Sequence, residues 1–598
     1  MRELEYPFES QYIIRKKRGI KKALLAYYSD NGTALQKKKI AILGGSTTND
    51  IKDCMELFLL NHGFEPEFYE SDYGQYWQDV MFDNEELDRF APDIIYIHTS
   101  NRNINEWPQI TDNEEVIERK LLGEYERFKV MWDKAEEKYK AVIIQNNMEN
   151  PAYRLLGNME ATDSHGRINF INRLNQLFYE YCNAHKNFYI NDINYLSASF
   201  GLDKWNDESY WYLYKYSLSL EAVPVLCHNI ANIIKALYGK NKKAFALDMD
   251  NTLWGGVISE EGADGIKLGP DTPTGQAYSD FQRYIKSHKD RGILLNICSK
   301  NEEAVAKEGL MNSYSELKED DFLGFKANWN EKSNSIIEIA GELNILPESF
   351  VFVDDNPVER DLVKNRIPGA AVPELSTVEC YIKEIDKNGY FECVSLSTDD
   401  VKRNEMYKSN MLRQTEQNKY TDYSEFLKSL EMTAEIAAIS DKEMERATQL
   451  SNKCNQFNLT NKKISSEDMN NICENDNNIA LYGKLKDKYG DNGLVTVLLG
   501  RGEKNICYID LWVMSCRVLK RDMENAVIDK LVEMCRSKGI DTIRGYYNPS
   551  SKNGLVKELY GQLGFTKTES RDNGDTYWEL KIDSGYISKN KVITMEEI

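Results

Sequence analysis

The stretch that decides the fold of the central part of the chain is Ala244-Phe245-Ala246-Leu247-Asp248-Met249-Asp250-Asn251-Thr252-Leu253-Trp254-Gly255-Gly256. A short apolar run is typical of a buried strand, and the Asp, Asn and Thr that follow it are typical of a turn. Apolar runs recur at 293–297 and 350–353, with helical patterns between them. This alternation predicts a parallel α/β sheet.

Polar side chains follow each of these apolar runs. Ser299 follows the second run, Asp354 and Asp355 follow the third, and Lys332 begins a predicted helix. Open α/β sheets bind their ligands at the carboxyl ends of their strands. We therefore expect these groups to meet Asp248 at one edge of the sheet.

This set of side chains suits phosphoryl transfer. We expect Asp248 to attack phosphorus and form an aspartyl-phosphate, and Asp250 to protonate the leaving group and then activate water. Lys332 and Ser299 are expected to hold phosphate oxygens. Clustered carboxylates need a cation, and Mg²⁺ prefers oxygen ligands. The expected metal ligands are Asp248, Asp250, Asp354 and Asp355.

The same residues match, in order, the four motifs of the haloacid dehalogenase superfamily. A single D-x-D-x-T motif is a weak signal, but four motifs that each follow an apolar run are specific. More locally, the sequence resembles the FkbH-like subfamily (subfamily IIIC). The stretches that carry this resemblance are 247–257, 298–301, 329–333, 353–360, 455–460 and 515–518.

The resemblance implies a function and further site residues. FkbH-like proteins take the glyceryl group of 1,3-bisphosphoglycerate, release phosphate and load glyceryl onto an acyl carrier protein. The motifs add Lys300 and Thr252 as phosphate-binding residues. They also imply a substrate-binding set formed by Trp254, Gly255, Gly256 and Asn301.

A cysteine is thought to hold the glyceryl group in FkbH-like proteins, and Cys298 is the catalytic candidate because it adjoins Ser299. Neighbouring strand residues face opposite ways, so Cys298 as a plain core residue is the alternative. The segments 257–290 and 302–328 are too short for a large cap domain. We therefore expect a minimal cap, which favours a bulky or protein-borne substrate.

Residues 1–37 predict a helical lead-in, and 38–237 resemble an SGNH-hydrolase-like domain with a flavodoxin-like α/β fold. Gly44-Gly45-Ser46 stands where that fold carries its nucleophile turn, and Asn146-Asn147 matches its asparagine block. A D-x-x-H motif occurs nowhere in the sequence. Ser46 therefore lacks an evident activator, and we expect a non-hydrolytic domain that serves in binding or assembly.

The expected catalytic domain covers 238–375 and has a Rossmann-like haloacid dehalogenase core. A helical connector is expected at 376–429, a C-terminal domain that resembles the α+β GNAT (acetyltransferase) fold at 430–583, and a tail at 584–598. In the GNAT-like domain, Lys520 and Asp522 fill positions that are normally glycine in the acyl-CoA loop. Their side chains should obstruct a pyrophosphate, so we do not expect acetyl-CoA to bind.

Composition excludes several other classes. The chain has 598 residues and a formal net charge of −21, so nucleic acid and anionic membranes are poor partners. The 11 cysteines include no C-x-x-C pair, which favours a reducing cytoplasm. The last of the six histidines is His288, which excludes a Ser-His-Asp triad in the C-terminal half.

Three alternatives to glyceryl transfer remain from the sequence. One is a stand-alone phosphatase for a small phosphorylated metabolite of polysaccharide or secondary metabolism. Another is a binding or scaffold protein with a vestigial central site. The third, an active acetyltransferase, conflicts with the occupied loop at Lys520 and Asp522.

Overall fold

The protein is described here by a computed structural model, which describes residues 1–550 and 552–596. The chain divides into two compact units, Met1–Lys235 and a second from Ala236 onward, close to the boundary expected at residue 237. Among the described residues, no helix is both long enough and apolar enough to cross a membrane.

The first unit is built on a parallel sheet of five strands in the order β2-β1-β3-β4-β5. This is the expected flavodoxin-like arrangement. Its strands are β1 Gln36–Gly44, β2 Phe64–Glu70, β3 Ile94–His98, β4 Val142–Asn146 and β5 Phe188–Asn191. Its helices are α1 Ser10–Asp30, α2 Asn49–Asn61, α3 Gln78–Met81, α4 Glu85–Phe90, α5 Glu114–Tyr139, α6 Arg167–Ala184, α7 Ile193–Phe200, α8 Leu202–Trp205, α9 Glu208–Tyr214 and α10 Val223–Leu237.

The second unit begins with a parallel sheet of four strands in the order β8-β7-β6-β9. These strands are β6 Ala244–Leu247, β7 Leu294–Ser299, β8 Gly324–Ala327 and β9 Phe350–Val353. The helices that follow or cover them are α11 Ile258–Glu261, α12 Pro273–Asp290, α13 Glu303–Met311, α14 Lys332–Leu343, α15 Pro357–Arg366 and α16 Val378–Asp386. Between β6 and α12 lies only the short helix α11, so the cap is minimal, as expected.

Side chains alternate between the two faces of this sheet, and each face packs against its own apolar cluster. Phe245 and Leu247 of β6 point into one cluster, and Ala244 and Ala246 point into the other. The first cluster also contains Tyr381 of α16 and Phe391. The part of the expected connector that follows residue 375 is thus packed into the catalytic core.

The rest of the connector contains α17 Thr398–Val401, α18 Arg403–Gln417 and α19 Tyr423–Ser429. The C-terminal domain then forms one mixed sheet in the order β16-β17-β15-β14-β13-β12-β10-β18, with β11 paired to β14. Its elements are β10 Thr433–Ala438, α20 Asp441–Lys453, β11 Phe457–Asn458, α21 Ser466–Glu474, β12 Ile479–Asp487, β13 Gly490–Glu503, β14 Ile506–Met514, α22 Met523–Ser537, β15 Thr542–Tyr547, α23 Leu559–Gln562, β16 Thr566–Ser570, β17 Thr576–Lys581 and β18 Thr594–Met595.

The central feature of this sheet is the divergence of β14 and β15. The two strands pair in parallel from Ile506 to Tyr508, and β11 then pairs with β14 at Val513 and Met514. The remaining neighbours are antiparallel apart from β10 and β18. This topology agrees with the expected α+β GNAT-like fold.

The C-terminal segment, residues 584–596, does not hang free as a tail. It crosses α22, where the Asp529 carboxylate accepts hydrogen bonds from the hydroxyls of Tyr586 and Ser588 and from the backbone N–H groups of Lys589 and Asn590. Beyond this point β18 adds a parallel strand beside β10. Although burial raises the pKa of Asp529, these hydrogen bonds outweigh it and hold that pKa below its ordinary value.

We predict that Asp529→Ala will release residues 584–596, because it removes four hydrogen bonds to a charged group. The loss should be about 2 kcal/mol of local stability. Hydrogen exchange of the segment, measured by mass spectrometry, checks this, with exposed Asp572→Ala as the control. In the wild type, protection of the segment should be complete above pH 5 or so and fall as acid protonates Asp529. Unchanged exchange in Asp529→Ala would contradict the assignment.

Candidate active site

Three carboxylates meet at the carboxyl edge of the four-stranded sheet. Asp248 directly follows β6, and Asp354 and Asp355 directly follow the neighbouring strand β9. One oxygen of each carboxylate lies within 4.8 Å of one oxygen of each of the other two. The fold thus gathers three of the four residues that the sequence predicts as metal ligands.

Lys332 lies between two of these carboxylates. Its ammonium is 2.9 Å from Asp248 Oδ1 and 2.6 Å from Asp354 Oδ2, and all three side chains are at least nine-tenths buried. Burial lowers the pKa of Lys332, but the charges of Asp248 and Asp354 outweigh it and raise that pKa above its usual value. Lys332 therefore stays a cation at the first turn of α14.

One ammonium does not balance three carboxylates. Burial and the charge of Asp248 raise the pKa of Asp354 above its ordinary value, and burial raises the pKa of Asp355 as well. These shifts mark excess negative charge in a poorly solvated place. Mg²⁺ fits this donor set, because the set is made of oxygen atoms and lacks two positive charges.

The loop after β9 is fixed by groups that reach it from three directions. The Thr252 hydroxyl, fully buried, accepts from Asp355 N–H at 3.1 Å. Asn356 N–H donates to Asp354 Oδ1 at 2.9 Å. The buried Arg360 guanidinium donates to the carbonyls of Asp354 and Asp355, both at 2.8 Å. Thr252 thereby holds the loop that carries Asp354 and Asp355, and its expected role in binding phosphate stays a prediction.

Asp250 lies apart from the three clustered carboxylates, although the sequence predicts it as a metal ligand too. Its Oδ1 accepts from Trp254 Nε1–H at 2.9 Å and from Ile258 N–H at 3.1 Å. Its Oδ2 accepts from Asn301 Nδ2–H at 2.8 Å. These three donors fix the orientation of the carboxylate. The expected roles of Asp250 in proton transfer and metal binding stay predictions.

The residues predicted to bind substrate make contacts with other parts of the protein. Trp254 is fully buried in the apolar cluster below the site. A Cβ on Gly255 would lie 2.8 Å from the Tyr278 ring, and one on Gly256, where φ is 99°, would lie 2.3 Å from Glu261. Asn301, also buried, binds Asp250. Each member of this set thus has a structural role, and its expected role in substrate binding stays a prediction.

Ser299 ends β7 and Lys300 follows it, at the same edge of the sheet as Asp248. Ser299 is buried, at 4% exposure. The Lys300 ammonium lies 2.6 Å from the Glu359 carboxylate of α15, and its side chain is partly exposed. Lys300 would have to leave Glu359 to hold a phosphate, so its expected role stays a prediction, like that of Ser299.

Cys298 lies beside the site but is not exposed to it. Its thiol is fully buried in the apolar cluster that contains Ala244 and Ala246, donates to the Lys332 carbonyl at 3.2 Å and is close enough to Asp248 and Lys332 to interact with their charges. Burial raises the pKa of this thiol to about 12. A buried, protonated thiol is a poor nucleophile. The placement does not support the expected role of Cys298 as a glyceryl carrier and favours the core alternative.

Two contacts that support the site were not predicted from the sequence. The hydroxyls of Tyr278 and Tyr381 donate to the Asn251 carbonyl at 3.1 and 3.3 Å, and Asn251 has a left-handed φ of 55°. These hydrogen bonds fix the turn between Asp248 and Thr252. Tyr278 and Tyr381 are distant from this turn in the sequence, so no local pattern predicts the contacts. Arg360 belongs to the motif that follows Asp354, so its contact with this loop could have been predicted.

Residues 517–522 occupy the position of the acyl-CoA loop of the GNAT fold. Two of them have the left-handed backbone that favours glycine, although neither is glycine. Lys520 has a φ of 64° and Asp522 a φ of 60°. Arg521 turns inward, where its guanidinium pairs with Asp487 at 3.1 Å and donates to the Arg517 carbonyl. Arg521 is thus committed to the protein interior, in keeping with the expectation that this loop does not hold a pyrophosphate.

The first unit matches a known domain. Residues 39–235 match the family model described as FkbH, N-terminal domain. No curated protein matches the chain significantly. Among solved structures, the chain is similar to a GNAT-family acetyltransferase from Streptococcus pneumoniae, with 16% identity over 25% of this chain and 99% of that one and a TM-score of 0.21.

A much stronger similarity involves both units. The chain is 30% identical to the N-terminal part of the protein BF1531 from Bacteroides fragilis, whose structure contains a phosphatase domain complexed with Mg. The match covers 64% of this chain and 98% of that chain, with a TM-score of 0.58. The chain therefore belongs to the same family as BF1531, with an FkbH N-terminal domain ahead of a haloacid dehalogenase-type phosphatase domain.

Proposed function

We propose that the chain is a Mg²⁺-dependent phosphatase whose nucleophile is Asp248. The buried Asp248 carboxylate, 2.9 Å from Lys332 and grouped with two further carboxylates, carries this proposal. Asp248 would attack phosphorus, the bond to the leaving oxygen would break, and water would then hydrolyse the aspartyl-phosphate. Lys332 would offset the negative charge of the incoming phosphate.

The metal is part of this proposal. Asp248, Asp354 and Asp355 would hold Mg²⁺, which supplies positive charge next to a bound phosphate. The phosphatase domain of BF1531 was crystallised with Mg, which supports the same metal here. The protein's own contribution is to hold these carboxylate oxygens close together in a largely buried place, although they repel one another.

The proposed substrate is a small phosphorylated acid, and the resemblance to FkbH-like proteins points to 1,3-bisphosphoglycerate. Two different bonds of this acyl phosphate can break. Attack of Asp248 on the phosphorus of the acyl phosphate breaks the P–O bond and releases 3-phosphoglycerate, and water then frees phosphate from the aspartyl-phosphate. Attack of a thiol on the acyl carbon breaks the C–O bond, releases the acyl-linked phosphate directly and forms a 3-phosphoglyceryl thioester. Asp248 would then have to remove the remaining phosphate to leave a glyceryl thioester.

Glyceryl transfer to an acyl carrier protein is the second candidate, and the minimal cap favours it. Only the short helix α11 lies between β6 and α12, so nothing in that segment forms a large lid over Asp248. A carrier thiol could approach from the open edge. Because Cys298 is buried, the transfer we propose is direct, from the acyl phosphate to the carrier thiol.

We predict that Asp248→Asn will lower phosphate release by about 1000-fold or more, because the amide cannot act as the nucleophile. Steady-state phosphate release from 1,3-bisphosphoglycerate and from simple aryl phosphates measures this. Exposed Asp361→Asn, on α15, is the matched control and should keep wild-type rates. Full activity in Asp248→Asn would rule out the proposed nucleophile.

We predict that Mg²⁺ will raise the unfolding temperature of the wild type, because it neutralises repelling carboxylates. At a concentration 100 times the Kd, the gain should be about 2.7 kcal/mol. Asp354→Asn should lose most of this gain while Asp361→Asn keeps it. Thermal unfolding with and without Mg²⁺ checks the prediction, and an equal shift in Asp354→Asn would place the metal elsewhere.

We predict that Cys298→Ala will keep phosphate release within about twofold of the wild type, because the thiol is fully buried and protonated and so takes no part in the attack on phosphorus. Stability should fall by about 1–2 kcal/mol from the lost packing. In ¹⁸O-water, the phosphatase route gives only labelled phosphate, whereas direct transfer to a holo acyl carrier protein releases the acyl-linked phosphate unlabelled and leaves a carrier thioester. A glyceryl adduct that disappears in Cys298→Ala would restore the carrier cysteine.

A further inference from the structure

A second cluster of polar side chains lies in the first unit, where β1 and β3 end side by side. In the order β2-β1-β3-β4-β5 this is the point at which the direction of strand succession reverses, and α/β sheets bind ligands there. Ser46 follows β1 here. Its hydroxyl lies 3.0 Å from Ser217 Oγ, which lies 3.1 Å from His98 Nε2.

These contacts bring a histidine, His98, near Ser46. The sequence did not predict it, because the chain has no D-x-x-H motif. His98 is the last residue of β3, and Ser217 reaches it from beyond α9. Ser46, Ser217 and His98 are all at most 3% exposed. Whether Ser46 is a nucleophile or a hydrogen-bond donor depends on which ring nitrogen of His98 carries the proton.

The surroundings of His98 Nδ1 decide the tautomer. The Asn146 amide nitrogen donates to the Thr99 carbonyl at 3.2 Å, and a carbonyl can only accept, so the orientation of this amide is fixed. The same nitrogen lies 3.0 Å from His98 Nδ1. The Tyr96 hydroxyl, 2.9 Å from Nδ1, donates to Asn146 Oδ1. The Tyr96 oxygen could accept from Nδ1, but the Asn146 amide can only donate to it, and this favours an Nδ1 that accepts a hydrogen bond and carries no proton.

The proton of the neutral ring then sits on Nε2 and is donated to Ser217. Ser217 in turn directs its hydrogen to Ser46 Oγ, and the Ser46 hydroxyl keeps its own hydrogen for another acceptor. Burial lowers the pKa of His98 to about 4, which keeps the ring neutral. In this arrangement His98 has no lone pair directed toward Ser217, so it cannot take a proton from Ser46.

The segments that contain Arg102 and Lys215 contact the loop that carries Ser46. The Gly45 carbonyl accepts from Asn103, the residue after Arg102, and Thr47 N–H donates to the Lys215 carbonyl. The Arg102 guanidinium lies 4.4 Å and the Lys215 ammonium 5.3 Å from the centre of the Trp211 ring. Arg102 pairs with the exposed Glu208, and such surface pairs contribute little, so an anion can compete for it.

We propose that the carboxyl ends of β1 and β3, around Ser46, bind the anionic, oxygen-bearing end of a ligand, a carboxylate or a phosphate. In this proposal Ser46 is a hydrogen-bond donor and not a nucleophile. Arg102 and Lys215 would supply the positive charge. Because so little of Ser46 is exposed, only a small terminal group can reach it. This site is independent of the chemistry proposed at Asp248.

The first test is the protonation of His98 in the full-length protein labelled with ¹⁵N-histidine. Six histidines give few resonances, and His98→Gln assigns the one of interest. Long-range ¹H–¹⁵N spectra should show protonated Nε2 and unprotonated Nδ1. A protonated Nδ1 would overturn the proposed order of hydrogen bonds. So would covalent labelling of Ser46 by a serine-directed fluorophosphonate, detected by peptide mass spectrometry.

The second test is anion binding. Inorganic phosphate and acetate are titrated separately, and the His98 Nε2–H resonance should shift to saturation with at least one of them, which identifies the preferred anion. Ser46→Ala should weaken this binding about tenfold, and the partly exposed Arg102→Gln should weaken it as well.

Ser197→Ala, which removes a buried hydroxyl of α7 in the same unit, is the control and should bind like the wild type. The other five histidine resonances report whether each variant is folded. No saturable shift with either anion, or an equal loss in Ser197→Ala, would overturn the proposal.

Discussion

The catalytic domain depends on the Lys332 ammonium held between Asp248 and Asp354. These carboxylates follow neighbouring strands, and without a cation their burial together would be strongly unfavourable. Lys332 offsets part of this repulsion at the start of α14, and the remaining negative charge is what makes the site fit a divalent cation. The geometry of the sheet edge thus follows from charge balance as much as from apolar packing.

Much of this site could be predicted from the sequence, because its parts are local. Asp248 and Asp354 directly follow apolar runs, and parallel strands bring the residues after them to one edge. The exact duties of the side chains could not be predicted. Thr252 binds a backbone N–H and Trp254 binds Asp250, and both contacts depend on which way a buried group turns. Spacing along the chain carries no such information.

The two candidate sites differ in whether the sequence predicts the basic residue that each contains. Lys332 stands within a recognisable motif, whereas His98 ends a strand whose apolar pattern suggests only burial. Its link to Ser46 runs through Ser217, 171 residues further along the chain than Ser46. The proposed proton order rests on one backbone carbonyl, that of Thr99, which fixes the Asn146 amide. A three-dimensional contact of this kind leaves no pattern in the sequence.

The GNAT-like domain lies at the opposite end of the catalytic sheet from Asp248. Lys552 pairs with Glu348 just before β9, and Asn344, at the end of α14, donates to the Cys516 carbonyl. Both contacts are at the amino edge of the sheet, while the clustered carboxylates follow the carboxyl ends of β6 and β9. Both of these contacts of the GNAT-like domain therefore lie away from the catalytic edge. In the proposed transfer, a carrier protein that delivers a thiol to this edge would approach from a side that these two contacts do not occupy.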